Sequence, residues 1–416
     1  MKKSLLLVVF LAIWAMVSVA QDNSSFGIRF SGFVKTDMFW DSRQTVAARE
    51  GHFLLYPTNE KLDAEGNDIN AKANFNFLSI QTRLRGTITG PDALGAKTSG
   101  VIEGAFFGHA NGDVNGFRLR HAFVKLDWKN TSLLVGQYWH PFFVTYCFPG
   151  VVSFNTGAPF IPFSRNPQIR VTQKLGNVNF ILAALSQLDF FSTGPDYPGP
   201  GRQYIRNSAI PTFSFRVEYR DVNVEENREF LIGIGLNYKT LTPRLVTDSN
   251  YKTTQTIGTL SETIYIKYKL PALTFKLQGV YAEDPFNWLM IGGYAVGEIT
   301  DPTKDFRSYV PVRTLSGWLD IHTNGKKWQV GLLAGVAQNL GASKDIIGAS
   351  YQRGSDIAYI YRISPRFVYN SGKFRIAPEI EYTVAGYGSE IEANGEVKDI
   401  KNIGNVRFLL GVYFFF

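Results

Sequence analysis

Cysteine is almost missing: Cys147 stands alone in 416 residues. No intramolecular disulfide can form, so covalent staples do not hold the chain together. Long apolar runs are missing too, apart from one at the N-terminus, and mean hydropathy is −0.07. If the chain lives in a membrane, it does not cross it as helices. Histidine is scarce. His52, His109, His121, His140 and His322 include no H-E-x-x-H or similar metal spacing. A Ser–His–acid site assembled only in space stays open. The oxygen-rich stretch DAEGNDIN, residues 63–70, fails the calcium-loop pattern and reads as a solvated loop tip. No cofactor is implied. The formal charge of +8 is mild and unclustered, which argues against a nucleic-acid partner.

What is present begins with a leader. MKKSLLLVVFLAIWAMVSVA has two lysines, an apolar run from Leu5 to Val17, and Ser18-Val19-Ala20 as a cleavage site. Residues 1–20 are therefore expected to be a secretory signal, cut after Ala20, and residues 21–416 to form one exported domain. The alternative is an uncleaved anchor, for which the run is short.

The other end, NVRFLLGVYFFF, stops on four aromatic residues, Tyr413–Phe416. Gly404, Val406, Phe408, Leu410, Val412, Phe414 and Phe416 share one face of a strand, and Asn405 and Arg407 share the other. That apolar face needs an apolar solvent. The aromatics are expected at a lipid interface, and Phe416 resembles the terminal signal read by the outer-membrane assembly machinery.

Between the ends runs a rhythm of alternating segments. Short turns fall at Gly90–Lys97, Lys129-Asn130, Leu175–Asn177, Val222–Asn227, Leu270-Pro271, Asn324-Gly325 and Asn370–Gly372. Long connections fall at Ser42–Ala73, His109–Val114, Pro141–Arg165, Phe190–Ala209, Leu241–Gln255, Asp284–Tyr309, Asn339–Ser355 and Tyr387–Lys401. Seven turns and eight loops imply about 16 strands. Even strand number and alternating turn length describe an all-β, transmembrane antiparallel β-barrel. The faces agree. In TFSFRVEYR, Phe213, Phe215, Val217 and Tyr219 oppose Ser214, Arg216, Glu218 and Arg220. A soluble β-protein would need a covering layer, and no helical pattern supplies one.

The stretch from Asn76 to Phe142 contains NFLSIQTRLRG, VIEGAFFG and FRLRHAFVKLDWKNTSLLVGQYWHPF. With GFVKTDMFWD at 32–41 and NPQIRVTQKLG at 166–176, it resembles the DcaP-like porins of Gram-negative outer membranes. The resemblance covers about the first 190 residues and implies sixteen strands, a homotrimer and uptake of small anionic organic solutes, dicarboxylates among them. Some members carry a periplasmic coiled-coil arm; only Gln21–Ser25 precede the first strand here.

If the apolar face points outward, Lys35, Arg83, Arg85, Arg170, Arg216, Arg220, Arg362, Arg366, Arg375 and Arg407 point into a water-filled lumen. The inward acids are Asp37, Glu103, Glu218, Asp320, Glu379 and Glu381. Guanidinium ladders such as Arg83/Arg85 and Arg362/Arg366 offer planar forks for carboxylates. Equally, many of these arginines would pair with the acids and stiffen the wall. Arg118 and Arg120 share a face with Ala122, Val124 and Leu126, so either a bulge shifts the phase or this strand faces protein. The connection 141–165 holds Phe142, Phe143, Tyr146, Phe148, Phe154, Phe160 and Phe163, ends at Arg165, and contains no acid. So apolar a segment is expected to fold inward as a constriction loop.

The function expected is a passive outer-membrane porin, not an enzyme, admitting small, preferably anionic solutes. The rivals are an outer-membrane transporter for hydrophobic solutes, which would want an apolar lumen, and a barrel enzyme of lipase or protease type.

Overall fold

The computed structural model describes residues 26–108, 111–196 and 201–416. The leader and its cleavage site at Ala20 lie outside the described residues.

The first strand, β1 (Gly27–Asp41), is followed by a small hairpin, β2 (Thr45–Ala48) and β3 (Phe53–Pro57). Next come β4 (Asn74–Leu78) and β5 (Arg83–Thr89), two halves of one interrupted strand. Then run β6 (Lys97–Ala105), β7 (Arg118–Asp127), β8 (Thr131–Trp139), β9 (Arg165–Leu175) and β10 (Val178–Leu185). A one-turn helix, α1 (Gln203–Asn207), precedes β11 (Thr212–Asn223), β12 (Arg228–Leu241), β13 (Ile257–Lys269) and β14 (Leu273–Glu283). Past β15 (Gly292–Asp301) lie β16 (Phe306–Thr323) and β17 (Trp328–Ala342). After β18 (Ser350–Arg353) the wall finishes with β19 (Ile357–Ser371), β20 (Phe374–Ile391) and β21 (Val397–Phe415).

Sixteen of these units form one closed antiparallel barrel. The pair β2–β3 sits apart, and β15 and β18 extend the wall above one rim. Closure is made by β1 against β21, from Phe33↔Phe415 to Asp41↔Arg407. The last residue is tied in as well: Phe416 and Gly32 exchange two backbone hydrogen bonds of 3.2 Å. A closed sheet leaves no unpaired edge, which a membrane demands.

Side-chain alternation follows the sequence. Phe213, Phe215 and Tyr219 are exposed on the outside while Ser214, Arg216 and Glu218 are buried inside. Phe408, Phe414 and Phe416 are likewise outward and Asn405 and Arg407 inward. Tyr413 departs from the expectation of a lipid-facing aromatic end: it occupies the inner face, and its hydroxyl donates to Val152 O at 3.2 Å. Period 2 requires this, since Phe414 and its neighbours cannot share a face.

The seven short turns all fall at one rim, as expected. Of the long connections, Tyr387–Lys401 is mostly strand instead. β20 and β21 pair up to Ile391↔Val397, leaving a five-residue turn. Most of this upper hairpin is exposed, Val397 excepted, and Glu390 stands opposite Lys398.

The phase problem in β7 is settled by a bulge. His121 pairs with Glu103 and Leu119 with Gly104, so Arg120 is an extra residue. Beyond it the alternation inverts, which places Arg118 and Arg120 inside the barrel and Val124 outside.

Candidate functional site

The loop between β8 and β9 folds into the barrel. Phe142, Phe143, Phe154, Phe160 and Phe163 are buried there, with Phe148 packed against them. The Phe143 ring stacks on Trp139 at 3.9 Å, and Phe163 meets both edge-on. A loop buried at mid-barrel must find partners for its backbone groups, and the inward wall residues supply them. Glu379 accepts from the amides of Val152 and Ser153 and from the Ser153 hydroxyl. Gly150 N donates to Asp320 at 3.2 Å. Lys35 donates to Val152 O at 2.7 Å, Lys276 to Phe148 O at 3.0 Å and Gln278 to Phe142 O at 2.9 Å. Ser316 donates to Phe160 O at 3.1 Å, and Arg216 donates to Pro141 O.

The arginines singled out from sequence therefore divide. Arg362 donates to Thr383, Ala158 O and Leu55 O, and pairs with Glu381 at 3.3 Å. Arg366 pairs with Asp320 at 2.6 Å, and Arg407 grips Asp41 with two bonds of 2.9 and 2.7 Å. Lys35 pairs with Asp37 at 3.0 Å. All four are buried. Arg165 is buried too, sharing Asp189 with Arg118. Burial pushes the Asp189 carboxyl up, but Arg165, Arg118 and Arg49 outweigh it and hold the group below the ordinary carboxylate range. These groups brace the interior.

A second set meets water. Arg83 and Arg85 share Glu103 at 3.6 Å each and stay 23 and 40% exposed. Arg375 is half-buried over the Tyr413 and Phe415 rings, bonded to Asn370 at 2.8 Å. Arg170 and Arg216 open onto a polar cavity of about 500 Å³ that reaches the short-turn rim at Trp128, Lys129 and Asn130. Its cations are Lys125, Lys129, Arg170, Lys174, Arg216 and Arg220; its acids are Asp127 and Glu218. Arg170 makes no ion pair among the described residues; it donates to Gln168 and to Trp139 O. Arg220 pairs with Glu229 at 2.9 Å and lies 3.7 Å over the ring of Tyr146. Tyr146 is the one aromatic of the inward loop that remains substantially exposed, at 45%, and it roofs this vestibule.

The interior departs from the expected open lumen at mid-height, where the β2–β3 hairpin fills the space beside the inward loop. Phe53, Leu54, Leu55 and Tyr56 are all buried. The connection Ser42–Ala73 reads as polar overall, which hid this plug. Its signal was the short apolar run Phe53–Tyr56, too small for a strand face and too apolar for water.

Cys147 is packed in the inward loop, its Sγ 3.4 Å from Ile266 O. Burial pushes the thiol up to about 12. At pH 8 only about one molecule in ten thousand would hold a thiolate. A maleimide should therefore leave the folded protein unlabelled and modify it fully after denaturation, as read by mass spectrometry.

No family model and no curated protein matches the chain. Solved structures do. The outer membrane channel DcaP of Acinetobacter baumannii superposes with a TM-score of 0.69 at 15% identity, covering 94% of this chain and 97% of that one. An anion-selective porin from Comamonas acidovorans gives 0.54 at 12% identity, covering 94% and 100%. The trimer form of OmpT, an outer membrane protein of Vibrio cholerae, gives 0.54 at 11%, covering 94% and 99%. These superpositions run over nearly the whole length, and the chain has the sixteen-stranded outer-membrane porin fold.

Proposed function

We propose that this protein is a passive outer-membrane channel for small, preferably anionic, carboxylate-type solutes in a Gram-negative bacterium. The observation that carries the reading is the charge of the polar vestibule, six cations against two carboxylates. A cationic recess between low-dielectric walls concentrates anions and presents guanidinium forks to a carboxylate. In this reading the short-turn rim is periplasmic and the exported chain assembles as a homotrimer in lipid, guided by Phe416.

An enzymatic reading finds little to use. His52 bonds Asp37 at 2.7 Å, the start of a charge-relay pair. Its ring, however, is stacked between Phe39 and Phe154, and both members are buried.

Reversal potentials in planar bilayers under a potassium chloride gradient test the proposal. Anion preference is the expected result. Cation preference would remove the anionic solute class while leaving a channel, and no conductance at all would remove the channel.

A further inference from the structure

The β2–β3 hairpin lies in the barrel interior, packed against the inward loop. Its burial is by insertion. Phe53 enters a cage of Phe154, Phe163 and Phe190 at centroid distances of 5.4, 5.1 and 6.4 Å. Two of the best-placed guanidiniums spend donors on it: Arg362 on Leu55 O at 3.0 Å, and Arg407 on Gly51 O at 2.7 Å. Tyr387 donates to Pro57 O at 2.7 Å, and Asn155 to Leu54 O at 3.0 Å.

The two inward segments are held differently. The β8–β9 loop is spliced directly into two adjacent wall strands and bonded to strands around the circumference. The hairpin is joined to β1 by only three residues, 42–44, and reaches β4 through a long, mostly exposed tether, residues 58–73. Its tip is also strained. Arg49, Glu50 and Gly51 have φ of 57, 54 and 84°, three consecutive left-handed residues of which two carry side chains. The strained turn thus sits at one end of a surface tether, seated among side chains of the inward loop, of the β10–β11 connection and of the wall.

We propose that the β2–β3 hairpin is a displaceable gate, whose withdrawal from the aromatic cage opens the barrel and uncovers Arg362 and Arg407. The inference rests on the channel reading above. In the seated state these arginines face protein carbonyls. In the withdrawn state the same donors face the solute path and continue the cationic surface of the vestibule.

Replacing Thr45–Pro57 with Gly-Ser-Gly tests the gate by single-channel recording. Conductance should rise roughly twofold or more, because the widened constriction sets the flux. A folded, heat-modifiable barrel with unchanged conductance overturns the proposal. Hydrogen exchange on the intact protein is a second test that needs neither the deletion nor any conductance. Amides of Thr45–Pro57 should exchange at least tenfold faster than those of Gly150–Ser153. Equal protection of the two segments overturns the gate even if the channel reading stands. Silent bilayers with fast hairpin exchange overturn the channel reading and leave the hairpin's mobility intact.

Discussion

Arg170→Ala combined with Arg220→Ala should reduce the chloride-to-potassium permeability ratio roughly eightfold at about 0.1 M salt. A unit charge about 7 Å from a passing anion is worth about 0.6 kcal/mol in water, and screening roughly halves that. Two such charges together change the local anion concentration by about threefold and the cation concentration by about the inverse factor, and the ratio moves by both. The substitutions suit the test because neither arginine donates a hydrogen bond to the inward loop; Arg220 meets it only at the ring of Tyr146. Arg170 bonds only its own neighbourhood, and loss of Arg220 leaves Glu229 paired with Lys267 at 2.5 Å. Arg228→Ala is the matched control, since Arg228 pairs with Glu226 on the exposed turn. Reversal potentials that do not move in the double variant, while the control also stays put, would mean that ions do not pass these groups.

Arg362→Ala should cost stability rather than selectivity. The side chain braces Glu381, Leu55 O, Ala158 O and Thr383 at once, all deep in the interior. Truncation leaves a buried carboxylate without its cation and two carbonyls without donors. Removing one partner of such a pair costs about 3–5 kcal/mol. Urea unfolding in lipid vesicles, followed by tryptophan fluorescence, measures it. Arg362→Lys should recover part of the loss, because an ammonium keeps the charge but cannot serve all four acceptors. A midpoint unchanged in the alanine variant would show that Arg362 is not part of the brace. The same arginine is a candidate solute ligand only when the hairpin is withdrawn, so its two roles belong to two states.

The contrast between these substitutions marks where sequence reasoning succeeded and where it ran out. Alternation placed Arg170, Arg216, Arg362, Arg366 and Arg407 on the inner face, because a strand has only two faces and one had to meet lipid. It could not say which of them meet water. That depends on what enters the barrel, and the entrants come from segments 101 residues apart, as Leu54 and Asn155 show. The apolar content of 141–165 gave one entrant away. Phe53–Tyr56 gave the other only a faint signal inside a polar loop. Asp189, the shared partner of Arg118 and Arg165, gave none.

The phase of β7 shows the same boundary at one residue. From the sequence, Arg118 and Arg120 pointed two ways at once, and a bulge was one of the two resolutions. The pairing of His121 with Glu103 and Leu119 with Gly104 chose it. The extra residue lets Arg120 reach Glu103 at 2.8 Å while Val124 keeps its place on the outer face.

By itself, then, the sequence determined the barrel: period-2 alternation, turn residues at seven sites and an apolar final strand leave no other way to satisfy the backbone in lipid. The tertiary structure decided how much of the interior remains open. Whether an inward charge binds a loop carbonyl or faces solvent is set by contacts distant in the chain, and local pattern carries no record of them.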